Sequence, residues 1–378
     1  MVSLTDIIEH QNKQCGDGTV AWGTDMKKDP PRIPTGVFAV DYATGGGLPV
    51  WGSTCFWGKK SSGKTSLALN TVQQVQSICW TCYLPHKMCA CSTSPLRMKA
   101  YWGDAEGTLD RDWAEQIGVN SAQYMVGLAD YGEQHVNIAD NALKADDCGL
   151  IVMDSLAALT PSAEMDALEE QQFIGLQARL VTRAVRKLKQ RLITERKNGH
   201  PCSILFTNQL RIKIGQTHGS PETMAGGHGM HHEFSLLLRI ISKSLKRDGV
   251  DKKYVGKEQE HAVRHSFAVR KAKVLTLAST GEFVRAKHKM KGLGLAAGEI
   301  DDYNTLMNYA REYGVVTKGN KTYGYRGKRA KRLDDIKQVW KKHRREYIHT
   351  SIDIIQAAKE RLGGECVANK NKEGQVDA

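Results

Sequence analysis

An α/β fold on a mostly parallel central sheet is what this 378-residue sequence predicts. Three observations carry it. Short apolar runs flanked by turn residues recur at 53–57, 99–103, 123–127, 149–154, 202–207, 235–241 and 266–274, the pattern of buried parallel strands. Helical stretches alternate with them, which calls for crossover connections. Between the first run and the helical stretch from Ser66 stands Gly58-Lys59-Lys60-Ser61-Ser62-Gly63-Lys64-Thr65. Strand, glycine loop, helix is the arrangement that binds phosphate through backbone N–H groups and a helix N-terminus.

In chain order, residues 3–13 carry Leu4, Ile7 and Ile8 at helical spacing, and a polar stretch with Pro30-Pro31 and Pro34 follows. Residues 1–34 therefore read as a small N-terminal helix on a linker. Residues 35–292 read as the α/β core, with a cysteine-rich stretch at 78–97. Its clearest helix is 171–195, where Phe173, Leu176, Leu180, Ala184, Leu188 and Leu192 recur every three or four residues. From about 293 the composition shifts, and 293–378 reads as a small basic C-terminal α/β domain with a tail.

The glycine loop is a complete Walker A pattern, so the chain is expected to bind a nucleoside triphosphate. Lys64 is placed to reach the β/γ-phosphates, and Thr65 to hold Mg²⁺. Gly149-Leu150-Ile151-Val152-Met153-Asp154 is the matching Walker B pattern, an apolar strand ending in an acid. It makes Asp154 the second Mg²⁺ residue, directly or through water.

The net charge of +13 points to a polyanionic partner, nucleic acid before an acidic membrane. No apolar run is long enough to span a bilayer, and the first fifteen residues lack a signal-type apolar segment. A cytoplasmic location, nucleoid-associated or in a host cytoplasm, is expected. Five cysteines are scattered: Cys15, Cys55, Cys148, Cys202 and Cys366. Four are clustered as Cys79-x2-Cys82-x6-Cys89-x-Cys91, a donor set for structural Zn²⁺ in a reducing compartment, with His86 as an alternate ligand. Free or redox-active thiols are the competing reading. His228, His231 and His232, with His218 nearby, fit a metal site poorly.

Longer stretches carry a resemblance. Asp154-Ser155-Leu156-Ala157-Ala158-Leu159-Thr160-Pro161 and Thr207-Asn208-Gln209-Leu210-Arg211-Ile212-Lys213-Ile214-Gly215 resemble segments of the bacterial RecA recombinases. So do Pro221-Glu222-Thr223 with Gly226-Gly227, Thr35-Gly36 through Gly46-Gly47-Leu48-Pro49, and Gly132-Glu133-Gln134. The match is collinear from about residue 4 to 362, and its departures are compatible with a phage-encoded member.

The resemblance implies an ATP-dependent recombinase that forms helical filaments on single-stranded DNA, pairs it with homologous duplex and exchanges strands in recombination and repair. It makes residues 1–34 a polymerisation element. It implies that Glu106 activates the attacking water, that Asp110 and Trp113 contact adenine, and that Gln209 senses the γ-phosphate. It implies that Lys271 and Lys273 reach the neighbouring subunit's nucleotide. Two loops, about 164–175 and about 210–228, are implied to face single-stranded DNA. Ile174, Arg179 and Arg186 belong with the first; Arg211, Ile212, Lys213, Ile214, Gly226 and Gly227 belong with the second. Single-strand-binding protein and loading mediators are implied as further partners.

Two rivals stand beside this. A hexameric helicase of the same fold shares both Walker patterns but usually lacks the 208–213 segment and the N-terminal helix. A non-catalytic filament-forming mediator does not need Lys64, Glu106 and Asp154 intact. Three departures from the family are visible: the 78–97 insertion, His218 where an aromatic is usual, and a charge-balanced tail from Val367 instead of an acidic one. Residues 318–346 hold twelve Lys/Arg against three Asp/Glu, with Tyr323, Tyr325 and Trp340 interleaved. They read as a duplex-capturing surface.

Overall fold

The computed structural model describes residues 2–16, 18–25, 29–84, 89, 91, 97–165, 175–212, 222–227, 229–243, 245, 262–290 and 295–373, with backbone only at 212 and 363–373. Helix α1 (Leu4–Cys15) is started by a capping box, Ser3 and Asp6 each accepting the other's backbone N–H. A two-residue pair, β1 (Arg32–Ile33) and β2 (Leu48–Pro49), brackets helix α2 (Phe38–Ala43).

The core then alternates: β3 (Ser53–Gly58), α3 (Lys64–Ser77), β4 (Lys99–Asp104), α4 (Arg111–Ile117), β5 (Tyr124–Gly127), α5 (Gly132–Ala142) and β6 (Cys148–Asp154). Next come α6 (Ser162–Met165), α7 (Leu176–Lys197), β7 (Ser203–Ile212), β8 (Glu222–Met224), α8 (Met230–Glu233), β9 (Leu236–Lys243), β10 (Ala262–Ala272) and β11 (Thr280–Ala286). Six strands run parallel in the order β9-β3-β7-β6-β4-β5, and β10 and β11 continue the sheet antiparallel beyond β9.

The strands read as near-continuous apolar runs because both faces are covered. Period-two alternation sends Leu150, Val152 and Leu205 to one face, under Leu67, Leu69, Val72 and Val75 of α3. It sends Ile151, Met153, Ile204 and Phe206 to the other, under α5 and α7. Each such side chain fully buried contributes on the order of 1.5–3 kcal/mol. Helix α7 buries Leu180, Ala184, Leu188 and Leu192 as its spacing predicted. It is described from Leu176; the expected start at 171 lies outside the described residues.

Most strand boundaries fall within one or two residues of expectation, and two differ by more. The run expected at 266–274 is β10, Ala262–Ala272, because its ladder with β11 reaches back to Ala262 and its ladder with β9 to Arg264. The run expected to end at 207 continues to Ile212. There β8 pairs with it, Leu210 opposite Met224 and Arg211 opposite Thr223. The stretch assigned to a loop from 210 is thus a hairpin at its base.

Beyond β11 lie β12 (Ile300–Asp301), α9 (Tyr303–Glu312), the three-stranded sheet β13 (Val316–Lys318), β14 (Tyr323–Tyr325) and β15 (Lys328–Ala330), then α10 (Leu333–Lys342) and α11 (Arg344–Glu373). These elements share a hydrophobic cluster with Phe38, Tyr42, Ala262 and Ala286 of the core. Trp340 and Tyr325 sit inside it, edge to face at 6.0 Å. This corrects the reading of Tyr325 and Trp340 as aromatics interleaved with a basic surface: the small sheet needs large apolar side chains to pack on α10.

Candidate nucleotide and DNA site

The phosphate loop joins β3 to α3 at the carboxyl ends of the parallel strands, where α/β sheets bind ligands. Its glycines have specific jobs. A Cβ on Gly58 would fall 2.2 Å from the Ile240 carbonyl oxygen of β9. Gly63 starts α3 at φ 93, and a Cβ there would fall 2.5 Å from the His265 ring. Lys64 is buried, its Nζ donating to the carbonyls of Lys59 at 2.9 Å and Gly58 at 3.4 Å. Burial lowers its pKa, opposed by the nearby charges of Asp154 and Glu106.

Parallel register brings the acids to this loop. Asp104 at the end of β4 lies opposite Asp154 at the end of β6. Thr65 Oγ1 donates to Asp154 Oδ2 at 2.9 Å, and Thr207 Oγ1 donates to Asp154 Oδ1. Burial, then the neighbouring Glu106 and Asp104 charges, push the Asp154 carboxyl up, while the two hydroxyl donors pull it down. A hydroxyl and a carboxylate meeting at the head of a helix are hard oxygen donors suited to Mg²⁺.

Glu106, two residues past β4, is exposed. Its Oε1 accepts from Ser155 Oγ at 2.6 Å and from Gln209 Nε2 at 2.9 Å. Gln209 lies on β7 just before the β8 hairpin, so one contact joins the phosphate site to the hairpin. Asp110 is the N-cap of α4 and accepts from the Trp113 backbone N–H at 3.0 Å. The Trp113 indole N–H donates to Ser66 Oγ at 3.0 Å. Ser61 to Ser66, Trp113, Ser242, Lys243, Val263, His265, Arg285 and Lys287 line a cavity of about 460 Å³ over the loop.

Lys271 is not in that cavity. It pairs with Leu237, which pairs with Cys55, three residues before Gly58. Its Nζ donates to the His231 carbonyl at 2.9 Å, and Lys273 follows the end of β10. The two lysines therefore lie together, away from their own chain's phosphate loop.

The matching family profile is described as the RecA N-terminal domain and covers residues 2–274. The chain belongs to the RecA family. It is 33% identical over 354 residues to Protein RecA of Saccharopolyspora erythraea, covering 93% of this chain and 90% of that one. It is 31% identical to Protein RecA of Teredinibacter turnerae, covering 96% and 93%, and 32% identical to that of Bordetella pertussis, covering 96% and 91%. Its role is that of a RecA recombinase, in recombination and repair. Membership in the RecA family implies a DNA-dependent ATPase that uses ATP and Mg²⁺, binds DNA and assembles into filaments. Among the described residues no helix is long and apolar enough to cross a membrane.

Of the expected DNA-facing residues, Arg211 donates to Gln177 Oε1 at 3.2 Å, which ties the hairpin to the start of α7. Arg186 pairs with Glu233 at 3.2 Å, and Arg179 lines a groove with Arg183 and Lys187. Gly226 and Gly227 both have positive φ, 94 and 82. A Cβ at Gly226 would fall 2.6 Å from Met230 Cγ. Ile174, Lys213, Ile214, His218 and His228 lie outside the described residues, as do His86 and the side chains of Ile212 and Cys366.

The sulfurs of Cys79, Cys82, Cys89 and Cys91 all lie within 4.8 Å of one another. Cys82 and Cys89 sulfurs are 3.4 Å apart, and the Cys91 N–H points at Cys89 Sγ at 3.2 Å. Cys79 directly follows α3, whose C-cap is Ile78. Among the described residues this is the one cluster with metal-binding geometry. Sequence reasoning assigned no role to Ser155, Thr207, His265 or Arg285: the first two fall inside segments that carry the resemblance, and the last two sit on plain strands with no motif to mark them.

Proposed function

We propose that the chain hydrolyses ATP at the phosphate loop and uses ATP binding to order a filament on single-stranded DNA, which then pairs with homologous duplex and exchanges strands. The observation that carries this reading is the 2.9 Å contact between Gln209 and Glu106. Lys64 binds the β/γ-phosphates in place of the loop carbonyls it now faces. Thr65 and Asp154 hold Mg²⁺, which supplies neutralisation of phosphate charge. Glu106 takes the proton from water, Trp113 and Asp110 flank the base, and Gln209 passes the γ-phosphate state along β7 to the hairpin.

Lys271 and Lys273 act on a neighbouring subunit's nucleotide, which makes hydrolysis depend on assembly through residues 1–34. Ile174, Arg179, Arg186, Arg211, Ile212, Lys213, Ile214, Gly226 and Gly227 face the single strand. Residues 293–378 capture duplex through their basic surface, and single-strand-binding protein and loading mediators assist loading. Cys79, Cys82, Cys89 and Cys91 hold a structural Zn²⁺: four thiolates suit that ion, and a short polar insertion gains its fold from it.

Strand exchange between homologous substrates with ATP, Mg²⁺ and no other protein is the deciding experiment. Joint molecules and full exchange are expected. Unwinding of a forked duplex without pairing would establish the helicase instead, and filaments without turnover the mediator.

A further inference from the structure

The cavity over the phosphate loop holds a buried cation that neither the Walker patterns nor the resemblance accounts for. Arg285 lies on β11 and is 4% exposed. Its cross-strand neighbours are the apolar Val263 and Ile300. Nη1 donates to the Gly298 carbonyl at 2.9 Å, and Nη2 reaches the Ser66 carbonyl, in the first turn of α3, at 3.4 Å. Nε is buried without a partner. Among the described residues no carboxylate pairs with Arg285, and none lines the cavity, whose lining includes Lys64, Lys243, Arg285 and Lys287.

A guanidinium carries five N–H donors and strongly resists losing its charge. Burying one against two carbonyls and apolar side chains costs several kcal/mol unless an anion completes the site. His265 does not supply it. Its Nδ1 stands 2.9 Å from the Ser62 carbonyl, and burial, then the Arg285 charge, lower its pKa to about 4, so the ring stays neutral. Burial alone lowers Arg285 to about 9, so it remains charged near neutral pH.

We infer that Arg285 is a second nucleotide-binding cation. Its guanidinium, reaching the first turn of α3 from the β11 side, contacts the bound nucleotide's phosphate chain and is neutralised by it. The inference deepens the ATP reading and rests on it. Because Arg285 meets α3 at the Ser66 carbonyl and hydrogen-bonds neither Glu106 nor Asp154, it serves binding of ATP and ADP alike and leaves the hydrolytic step to Glu106. It is a binding residue with no part in proton transfer.

Isothermal titration of ADP into wild type, Arg285→Met, Arg285→Gln and Arg285→Lys tests this, alongside thermal melts without nucleotide. Loss of a charge-assisted contact should weaken ADP by about tenfold or more in the Met and Gln variants, with Lys retaining most of the affinity. The KM for ATP should rise in parallel with the lost ADP affinity in the Met and Gln variants, as expected when binding common to both nucleotides is removed. Without nucleotide, the Met variant should melt no lower than wild type, since it loses an uncompensated buried charge. ADP affinity unchanged in both Met and Gln variants overturns the inference. So does a loss of affinity that tracks a lowered melting point and is not restored by Lys. If wild type itself does not bind ADP, the ATP reading falls and this inference with it. If wild type binds and Arg285→Gln binds equally, the inference alone falls.

Discussion

Gln209 Nε2 stands 2.9 Å from Glu106 Oε1, so the end of β7 and the segment after β4 meet over the phosphate loop. The two residues are 103 positions apart in the chain. Parallel pairing of β7 with β6, and of β6 with β4, brings their ends to one rim. Whatever moves Gln209 toward a phosphate must release or re-aim Glu106, and Gln209 is bonded through the backbone to the hairpin that carries Arg211.

Replacing Glu106 by Gln keeps the shape and the contact with Gln209 but removes the proton acceptor. ATP turnover should fall by about 10²–10⁴-fold while ATP affinity changes little. Filaments on single-stranded DNA should outlast those of wild type. Turnover near the wild-type rate in a phosphate-release assay would assign the base elsewhere.

Gln209→Ala cuts the link and leaves both ends intact. ATP affinity should hold, and basal hydrolysis without DNA should change by less than about threefold, because Glu106 keeps its 2.6 Å contact with Ser155. Stimulation by single-stranded DNA should be lost. Full stimulation in the variant would mean that the signal travels by another route.

Purified protein should carry about one Zn²⁺ per chain by elemental analysis, lost in Cys82→Ser plus Cys91→Ser. Removal should lower the melting temperature, since Cys79 anchors the insertion to the end of α3. Stoichiometric zinc in the double variant would place the metal away from the four thiols.

Lys328, Arg329, Lys331 and Arg332 are all exposed, on β15 and the turn after it. Lys328, Arg329 and Lys331 line a groove of about 790 Å³ together with Tyr325, Ile336 and Val339. Changing all four to Ala should weaken duplex binding and flatten its logarithmic salt dependence by up to roughly 3.6. Single-strand-stimulated ATPase should be nearly unchanged. Loss of single-strand binding with duplex capture intact would reverse the division of labour.

Asp41 is buried at the start of the core, accepting from Thr35 N–H, Thr35 Oγ and Gly36 N–H. Burial raises its pKa to about 7 against those donors. The native state therefore holds this proton more tightly than the unfolded chain. The stabilisation is fully present below about pH 4 and is lost as pH rises toward 7. Urea midpoints for wild type should fall from pH 5 to pH 8 more than those of Asp41→Asn, by on the order of a few kcal/mol in unfolding free energy. Equal falls in both proteins would show that Asp41 is not the group responsible.

Local composition was enough for much of this molecule. The glycine loop between an apolar run and a helix, the acid ending β6, and the period of α7 are short-range signals. Each is set by the backbone and by the faces that must be buried, so each is legible without knowing the fold. Four cysteines within thirteen residues are likewise local. Tertiary structure decided what depends on strand order. Thr207 donates to Asp154, and Ser155 and Gln209 to Glu106, because parallel neighbours end at one rim. The same logic moved Tyr325 and Trp340 from a basic surface into a core. It also buried Arg285 beside the phosphate loop, where only the pairing of β11 with β10 and β12 could put it. A residue's chemistry is written at its position; which other residues share its solvent, its charges and its hydrogen bonds is fixed only when distant strands pair.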